Sequence, residues 1–286
     1  MRIVSLFPAG TEIVAALGAG GWLAGVSHEC DWPPEVRTLP RVTRTTVDAA
    51  LPSAEIDRRM ADARRNGEPP VTIDFAALER LRPDVIIGQT LCDVCAADVG
   101  AQHAAPLLAG LPSHPRVVTL HAHDLAGVFD DIGKVGDALD LQGEAEELVA
   151  GLQYRLRRVG ARQRRAPTQP RVLVVEWVGP PYVAGHWVPE LVAAAGGVDV
   201  GARAGDRSVT RTWPELRALA PNVVVVALCG FDVPRARREV AAVTDPDARA
   251  LLGAARLVFL DGNAYTSRPG PRLVEAAELL AKLIDG

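Results

Sequence analysis

One short phrase occurs twice in this 286-residue chain: Leu78-x-x-Leu81-x-Pro83-Asp84-Val85 and Leu216-x-x-Leu219-x-Pro221-Asn222-Val223. In each copy a helical apolar pattern stops before a proline. A run of branched residues follows, Val85-Ile86-Ile87 or Val223-Val224-Val225-Val226. Proline disfavours helical backbone for the residue before it, so the phrase reads as helix, stop, strand. A nearly unbroken apolar strand fed by a helix belongs to a parallel sheet covered on both faces. Further apolar runs bounded by Gly, Pro and Asp give candidate strands at 2–6, 23–27, 84–88, 116–120, 171–176, 222–228 and 256–260. Helical patterns lie at 11–18, 74–82, 98–110, 125–140, 188–195, 213–219, 245–254 and 271–284. The alternation predicts α/β architecture in two related halves.

Between the halves, Ala145, Leu148, Val149, Leu152, Leu156 and Val159 mark one helical face. Glu144, Glu146 and Glu147 crowd its start and Arg155, Arg157, Arg158, Arg162, Arg164 and Arg165 its end, a polarity that suits the helix dipole. Such a helix spans roughly 30 Å at about 1.5 Å per residue. The expected organisation is a lobe at 1–142, a bridging helix at 143–166 and a second lobe at 167–286. Residues 51–73 stand apart: Ala54 to Arg65 reads as a polar helix, followed by the loop Asn66-Gly67-Glu68-Pro69-Pro70.

A hydrophobic content of 48% supplies ample core. The net charge of -4 gives no general attraction to nucleic acid or to an anionic membrane. The basic run has no interleaved aromatics and reads as a solvated helix end. No apolar stretch is long enough to span a bilayer. Residue 1 leads almost at once into a core strand with no secretory signal, so the sequence as written reads as cytoplasmic, and as extracytoplasmic if a leader has been removed. Four cysteines in a chain this long do not make a disulfide framework. The phosphate-cradling Gly-Lys-Ser/Thr loop, the Gly-x-Ser-x-Gly elbow and His-Glu-x-x-His are all missing, and the reading is a binding protein rather than an enzyme, with no cofactor required.

Two rim segments carry the chemistry. Arg2-Ile3-Val4-Ser5-Leu6-Phe7-Pro8-Ala9-Gly10-Thr11-Glu12 reads as a strand turning into a helix. Gly25-Val26-Ser27-His28-Glu29-Cys30-Asp31-Trp32-Pro33-Pro34 reads as a strand ending in a polar, aromatic loop. Loops at the carboxyl ends of parallel strands are where ligands sit. With the two Pro-(Asp/Asn)-Val phrases, Pro180-Pro181-Tyr182 and Ser267-Arg268-Pro269-Gly270-Pro271-Arg272, this ordered series resembles the substrate-binding proteins of ABC importers, of the cobalamin and iron-siderophore type. The resemblance implies two Rossmann-like lobes with parallel sheets, one long α-helix joining them and a ligand cleft between the lobes. It implies capture of a corrinoid or related metal chelate for an ABC transporter permease. One exposed glutamate per lobe docks on the permease in such proteins, and Glu79 and Glu215 are read as matching positions in the two halves.

The expected ligand contacts are Phe7, Pro8, His28, Glu29, Trp32 and Gln89 from the first lobe. The second lobe offers Trp177, Tyr182, His186, Trp187, Tyr265 and Arg268. Aromatic surface with a few orienting polar groups is what a large flat ligand needs, and each Trp or Tyr is equally able to fill core. Cys92-Asp93-Val94-Cys95 is a pair able to chelate a soft metal, with His28 and Cys30 as further donors. Bland structural thiols are the competing reading. This leaves an alternative function, a cytoplasmic metal or metal-tetrapyrrole binder using the Cys-x-x-Cys loop, and a weaker one, a chelatase-like enzyme. His121 and His123 fall on one strand face, where they can serve a metal or cap the next helix.

Overall fold

The computed structural model describes residues 1–90, 104–163 and 169–285. The chain forms two compact units. The first comprises Met1–Ala50, Arg58–Ala122 and Ala126–Ala150; the second comprises Leu51–Asp57, His123–Leu125 and Gly151–Gly286. Among the described residues, no helix is long and apolar enough to cross a membrane.

In chain order the elements are β1 (Ile3–Ser5), α1 (Pro8–Ala16), β2 (Leu23–Val26), β3 (Thr43–Thr45), α2 (Ser53–Arg65), β4 (Val71–Ile73), α3 (Phe75–Leu81), β5 (Val85–Gln89), α4 (Ala104–Ala109), β6 (Arg116–Leu120), α5 (Leu125–Leu139) and α6 (Gln142–Gln163). There follow β7 (Arg171–Val178), β8 (Pro181–Val183), α7 (Val188–Ala194), β9 (Val198–Asp199), β10 (Val209–Thr210), α8 (Trp213–Ala218), β11 (Val223–Val226), α9 (Val233–Ala242), α10 (Pro246–Ala254), β12 (Arg256–Phe259) and α11 (Leu273–Asp285).

The first unit holds a fully parallel sheet in the order β2-β1-β5-β6. The second repeats that order as β9-β7-β11-β12, again parallel. The α/β class with parallel-sheet lobes is therefore observed. The second sheet also carries an addition: β8 pairs antiparallel with the later half of β7, and β10 pairs antiparallel with β8. A separate antiparallel pair, β3 with β4, sits in the first unit.

The repeated sequence phrase folds into a repeated clasp. In the first unit the Arg2 amide donates to Asp84 Oδ2 at 2.7 Å and Arg2 Nε donates to the Leu81 carbonyl at 2.6 Å. In the second, the Arg171 amide donates to Asn222 Oδ1 at 2.9 Å and Arg171 Nη2 donates to the Leu219 carbonyl at 2.7 Å. The residue before each proline, Arg82 or Ala220, is left-handed, with φ of 48° and 46°. That conformation ends the helix and turns the chain into the central strand. Asp or Asn is needed because its side chain accepts from the amide of Arg2 or Arg171, at the start of the neighbouring strand, while its own amide donates back to the same residue's carbonyl.

Val223, Val224, Val225 and Val226 are all buried, as are Val85, Ile86 and Ile87. Each such side chain contributes about 1.5–3 kcal/mol on burial. The core of the first unit gathers Val4, Leu6, Leu78, Ile86 and Leu108; that of the second gathers Leu173, Val175, Trp213, Leu216, Val224 and Val226. The 22-residue α6 is the longest helix among those described, and the division between the units falls inside it, after Ala150. Its later half is tied within the second unit by a two-pronged pair, Arg155 Nε to Glu278 Oε1 at 3.0 Å and Nη2 to Oε2 at 2.8 Å.

Candidate functional site

In the first unit the candidate residues sit where β1, β2 and β5 end. Phe7 caps α1 and is buried, Pro8 opens that helix half-buried, and Gln89 closes β5, also buried. Beyond β2, the loop 27–32 is clamped from below. Arg41 Nη1 donates to the carbonyls of Ser27 at 3.0 Å and Cys30 at 2.7 Å, and Ser27 Oγ accepts from the Glu29 amide at 3.1 Å. Thr43 Oγ1, buried, accepts from the His28 amide at 3.0 Å and lies 2.7 Å from His28 Nδ1. Burial, and then the Arg41 charge, hold the His28 imidazole below its ordinary pKa. Glu29 and Trp32 are exposed.

This arrangement bears on the metal expectation. Cys30 is buried with its Sγ 3.1 Å from Thr11 Oγ1, so the thiol is engaged inside its own unit. Cys92 and Cys95 lie outside the described residues. Among the described residues, no group of three or more His, Cys, Asp or Glu side chains is arranged to hold a metal ion.

The second unit gathers a different set. Gly185 is followed by His186 in left-handed backbone, φ 52°. The His186 amide donates to the Asp206 carbonyl at 2.6 Å and its carbonyl accepts from the Gly205 amide at 3.0 Å. A side chain at 185 would overlap the backbone of Asp206 and Arg207, so glycine is required there. The His186 ring stacks on that of His123, centroids 6.0 Å apart and planes 22° from parallel, and meets the Trp187 ring at 5.4 Å. His123 reaches this place because Glu190 Oε2 accepts from the Leu125 amide at 2.7 Å, fixing the start of α5 to this unit. Burial lowers the His186 pKa, and the His123 and Arg207 charges add to the effect, so His186 is a neutral imidazole at neutral pH. His121 and His123 thus part company: the His121 amide is held by Asp131 Oδ2 at 3.0 Å in the first unit.

Other expected contacts serve the unit's own construction. Trp187 is buried and its Nε1 donates to the Thr266 carbonyl at 2.9 Å, holding the π-helical turn Gly262–Thr266 that carries Tyr265. Arg268 is buried, with Nη2 donating to Asn263 Oδ1 at 2.9 Å. Tyr265 is half-buried beneath the Arg272 guanidinium, 4.9 Å from its ring.

Trp177 and Tyr182 are engaged by residues 51–57. Trp177 Nε1 donates to the Ser53 carbonyl at 3.2 Å, and Tyr182 Oη donates to Asp57 Oδ1 at 3.3 Å. The Ser53 amide donates to Glu239 Oε2 at 3.0 Å and its hydroxyl donates to the same oxygen. Arg235 pairs with Glu239 at 2.8 Å and donates to the Leu51 carbonyl at 2.5 Å, while Ile56 packs on the core. The segment singled out at 51–73 therefore contributes a strap to the second unit, over two aromatics expected to meet ligand.

Glu79 and Glu215 occupy corresponding helices, α3 and α8, but not matching positions. Aligning Leu78 with Leu216 sets Glu79 against Arg217. Both glutamates are exposed. Glu215 accepts from the Thr212 amide at 2.7 Å and the Thr212 hydroxyl at 2.8 Å in a capping box, which lowers its pKa. The sequence Thr212-Trp213-Pro214-Glu215 announces that box. The strap, Thr43, Arg41 and Glu190 left no such mark.

No curated protein matches this chain. Solved structures do. The periplasmic heme-binding protein HutB of Vibrio cholerae is 20% identical with a TM-score of 0.73, covering 100% of this chain and 99% of its own. The periplasmic vitamin B12-binding protein BtuF of Vibrio cholerae is 18% identical with a TM-score of 0.70, covering 99% and 96%. The periplasmic heme-binding protein RhuT from Roseiflexus sp. RS-1, in apo form, is 24% identical with a TM-score of 0.69, covering 99% and 98%. At these identities the likeness shows the fold. The family model for periplasmic binding proteins matches residues 3–230, most of the length, and the chain belongs to the periplasmic binding protein family.

Proposed function

We propose that this protein is the substrate-binding component of an ABC importer and captures a metal tetrapyrrole without chemical turnover. The observation that carries the ligand class is the His123–His186 pair: two stacked imidazoles, one of them held neutral. A neutral imidazole lends a lone pair to a metal, and the two near-parallel imidazole planes suit a flat ligand. Solved relatives of this fold are described as binding heme or vitamin B12. A corrinoid, the ligand expected from sequence, stays within the class. The imidazoles favour a metal with an open axial position, which an iron porphyrin offers and cyanocobalamin does not.

Family membership favours an extracytoplasmic location over the cytoplasmic one read from the sequence as written. Permease docking is proposed for Glu79, whereas Glu215 is committed to its helix cap. The test is an absorption titration of the metal-free protein with hemin and separately with cyanocobalamin. One-to-one binding of hemin, with a Soret shift lost in His186→Ala, is expected. Binding of cyanocobalamin alone moves the assignment to a corrinoid, and binding of neither refutes the tetrapyrrole reading.

A further inference from the structure

The Ser27–Trp32 loop carries one polar atom that its surroundings leave unanswered. His28 Nε2 is buried and has no hydrogen-bond partner among the described residues; the Glu29 carboxylate, at 4.0 Å, is beyond hydrogen-bond reach. Around it the loop is satisfied by Arg41 and by the Ser27 hydroxyl. A lone unanswered group in an otherwise satisfied loop marks a place where something else completes the bonding.

What that atom offers depends on where the imidazole keeps its hydrogen, and Thr43 decides this. Thr43 is 1% exposed, so its hydroxyl hydrogen needs a protein acceptor. The Thr43 oxygen already accepts from the His28 amide. Among the described residues, the only acceptor within bonding distance of that oxygen is His28 Nδ1, at 2.7 Å. A hydrogen on Nδ1 would orphan the Thr43 hydroxyl inside the unit, which is costly. A bare Nδ1 accepts it and leaves the hydrogen on Nε2.

We infer that Thr43 fixes His28 as the Nε2–H tautomer, so that position 28 presents a hydrogen-bond donor to the ligand rather than a lone pair to a metal. The group it recognises is an acceptor on the ligand's periphery, a carboxylate or an amide carbonyl. Thr43 is then a positioning residue, acting through His28. The identity of the ligand rests on the function proposed above; the tautomer does not.

Two measurements separate the parts. The first is long-range proton–nitrogen NMR of 15N-histidine-labelled protein without ligand, with His28 assigned by its loss in His28→Gln. The wild type and Thr43→Ser should show the Nε2–H pattern, and Thr43→Val should shift toward the other tautomer. An Nδ1–H pattern in the wild type, or no change in Thr43→Val, overturns the inference. The second is hemin titration of the same variants. Thr43→Val and His28→Gln should weaken binding about tenfold with the bound Soret maximum unmoved, and Thr43→Ser should bind as the wild type does. A displaced Soret band in His28→Gln would make His28 a metal ligand and overturn the inference. Failure of the wild type to bind hemin would count against the proposed function while leaving the tautomer result standing.

Discussion

Asp199 should make the stability of this protein fall as pH rises through the weakly acidic range. It ends β9, with Oδ1 accepting from the Gly201 amide at 2.8 Å and the Ala202 amide at 3.1 Å, while Oδ2 is buried without a partner among the described residues. Burial raises its pKa from 3.8 to about 6, and the two amides recover only part of the cost of the charge. The sign follows from linkage. Below pH 3.8 the carboxyl is protonated in both folded and unfolded chains and nothing is lost. Between 3.8 and about 6 the unfolded chain ionises first, and the folded state loses ground. Above that range the full difference applies, about 3 kcal/mol at 1.36 kcal/mol per unit. A carboxamide has the shape of the protonated acid and keeps the Oδ1 acceptor, so Asp199→Asn should remove this pH dependence. Urea denaturation of both proteins from pH 4 to pH 8, followed by circular dichroism and tryptophan emission, provides the assay. The difference between the two, which cancels every other titrating group, should grow by about 2.4 kcal/mol from pH 4 to pH 7.5 in favour of the variant. A difference that stays constant across the range would refute the argument, since it would mean that Asp199 is solvated in the folded state.

Four further outcomes are expected. Because the His186 pKa lies below 6.5, hemin affinity should be level from pH 8 to about 6.5 and fall as the imidazole protonates in more acid solution; His186→Ala should cost at least about tenfold, or 1.4 kcal/mol, in Kd. Glu239→Gln should loosen the strap, costing about 1–3 kcal/mol through the Ser53 and Arg235 bonds, with acrylamide quenching of Trp177 emission increased in a protein whose other tryptophans are replaced by phenylalanine. Gly185→Ala should displace the Asp206–Arg207 backbone and abolish the His123–His186 stack, read as loss of hemin binding with the circular dichroism of the sheets retained.

The seven apolar runs marked in the sequence correspond to β1, β2, β5, β6, β7, β11 and β12. The central strands β1, β5 and β11 were legible because strands buried on both faces must be apolar throughout, as Val223–Val226 are. The short strands escaped because two or three residues carry no period: Thr43-Arg44-Thr45 pairs with Val71-Thr72-Ile73 in a three-residue ladder. Helix α9 escaped because Ala236 is its one fully buried residue, although Asp232 before Pro234 is a readable start. The candidate site was legible as a set of loops and not as a set of roles. Trp177, Tyr182 and Trp187 look alike in sequence, yet the first two anchor the strap and the third holds the turn of Tyr265. Those partners lie 79 to 125 residues away, beyond any local pattern. The pairing of His123 with His186 depends in the same way on Glu190 reaching the amide of Leu125.

Capture of a metal tetrapyrrole is tested most directly by native mass spectrometry of the metal-free protein offered hemin, cyanocobalamin and iron-free protoporphyrin together at equal concentration. The account predicts a single one-to-one hemin adduct, with iron-free protoporphyrin left behind because it brings no metal to the imidazoles. An unliganded protein, or an adduct with the iron-free ring as abundant as that with hemin, would contradict it.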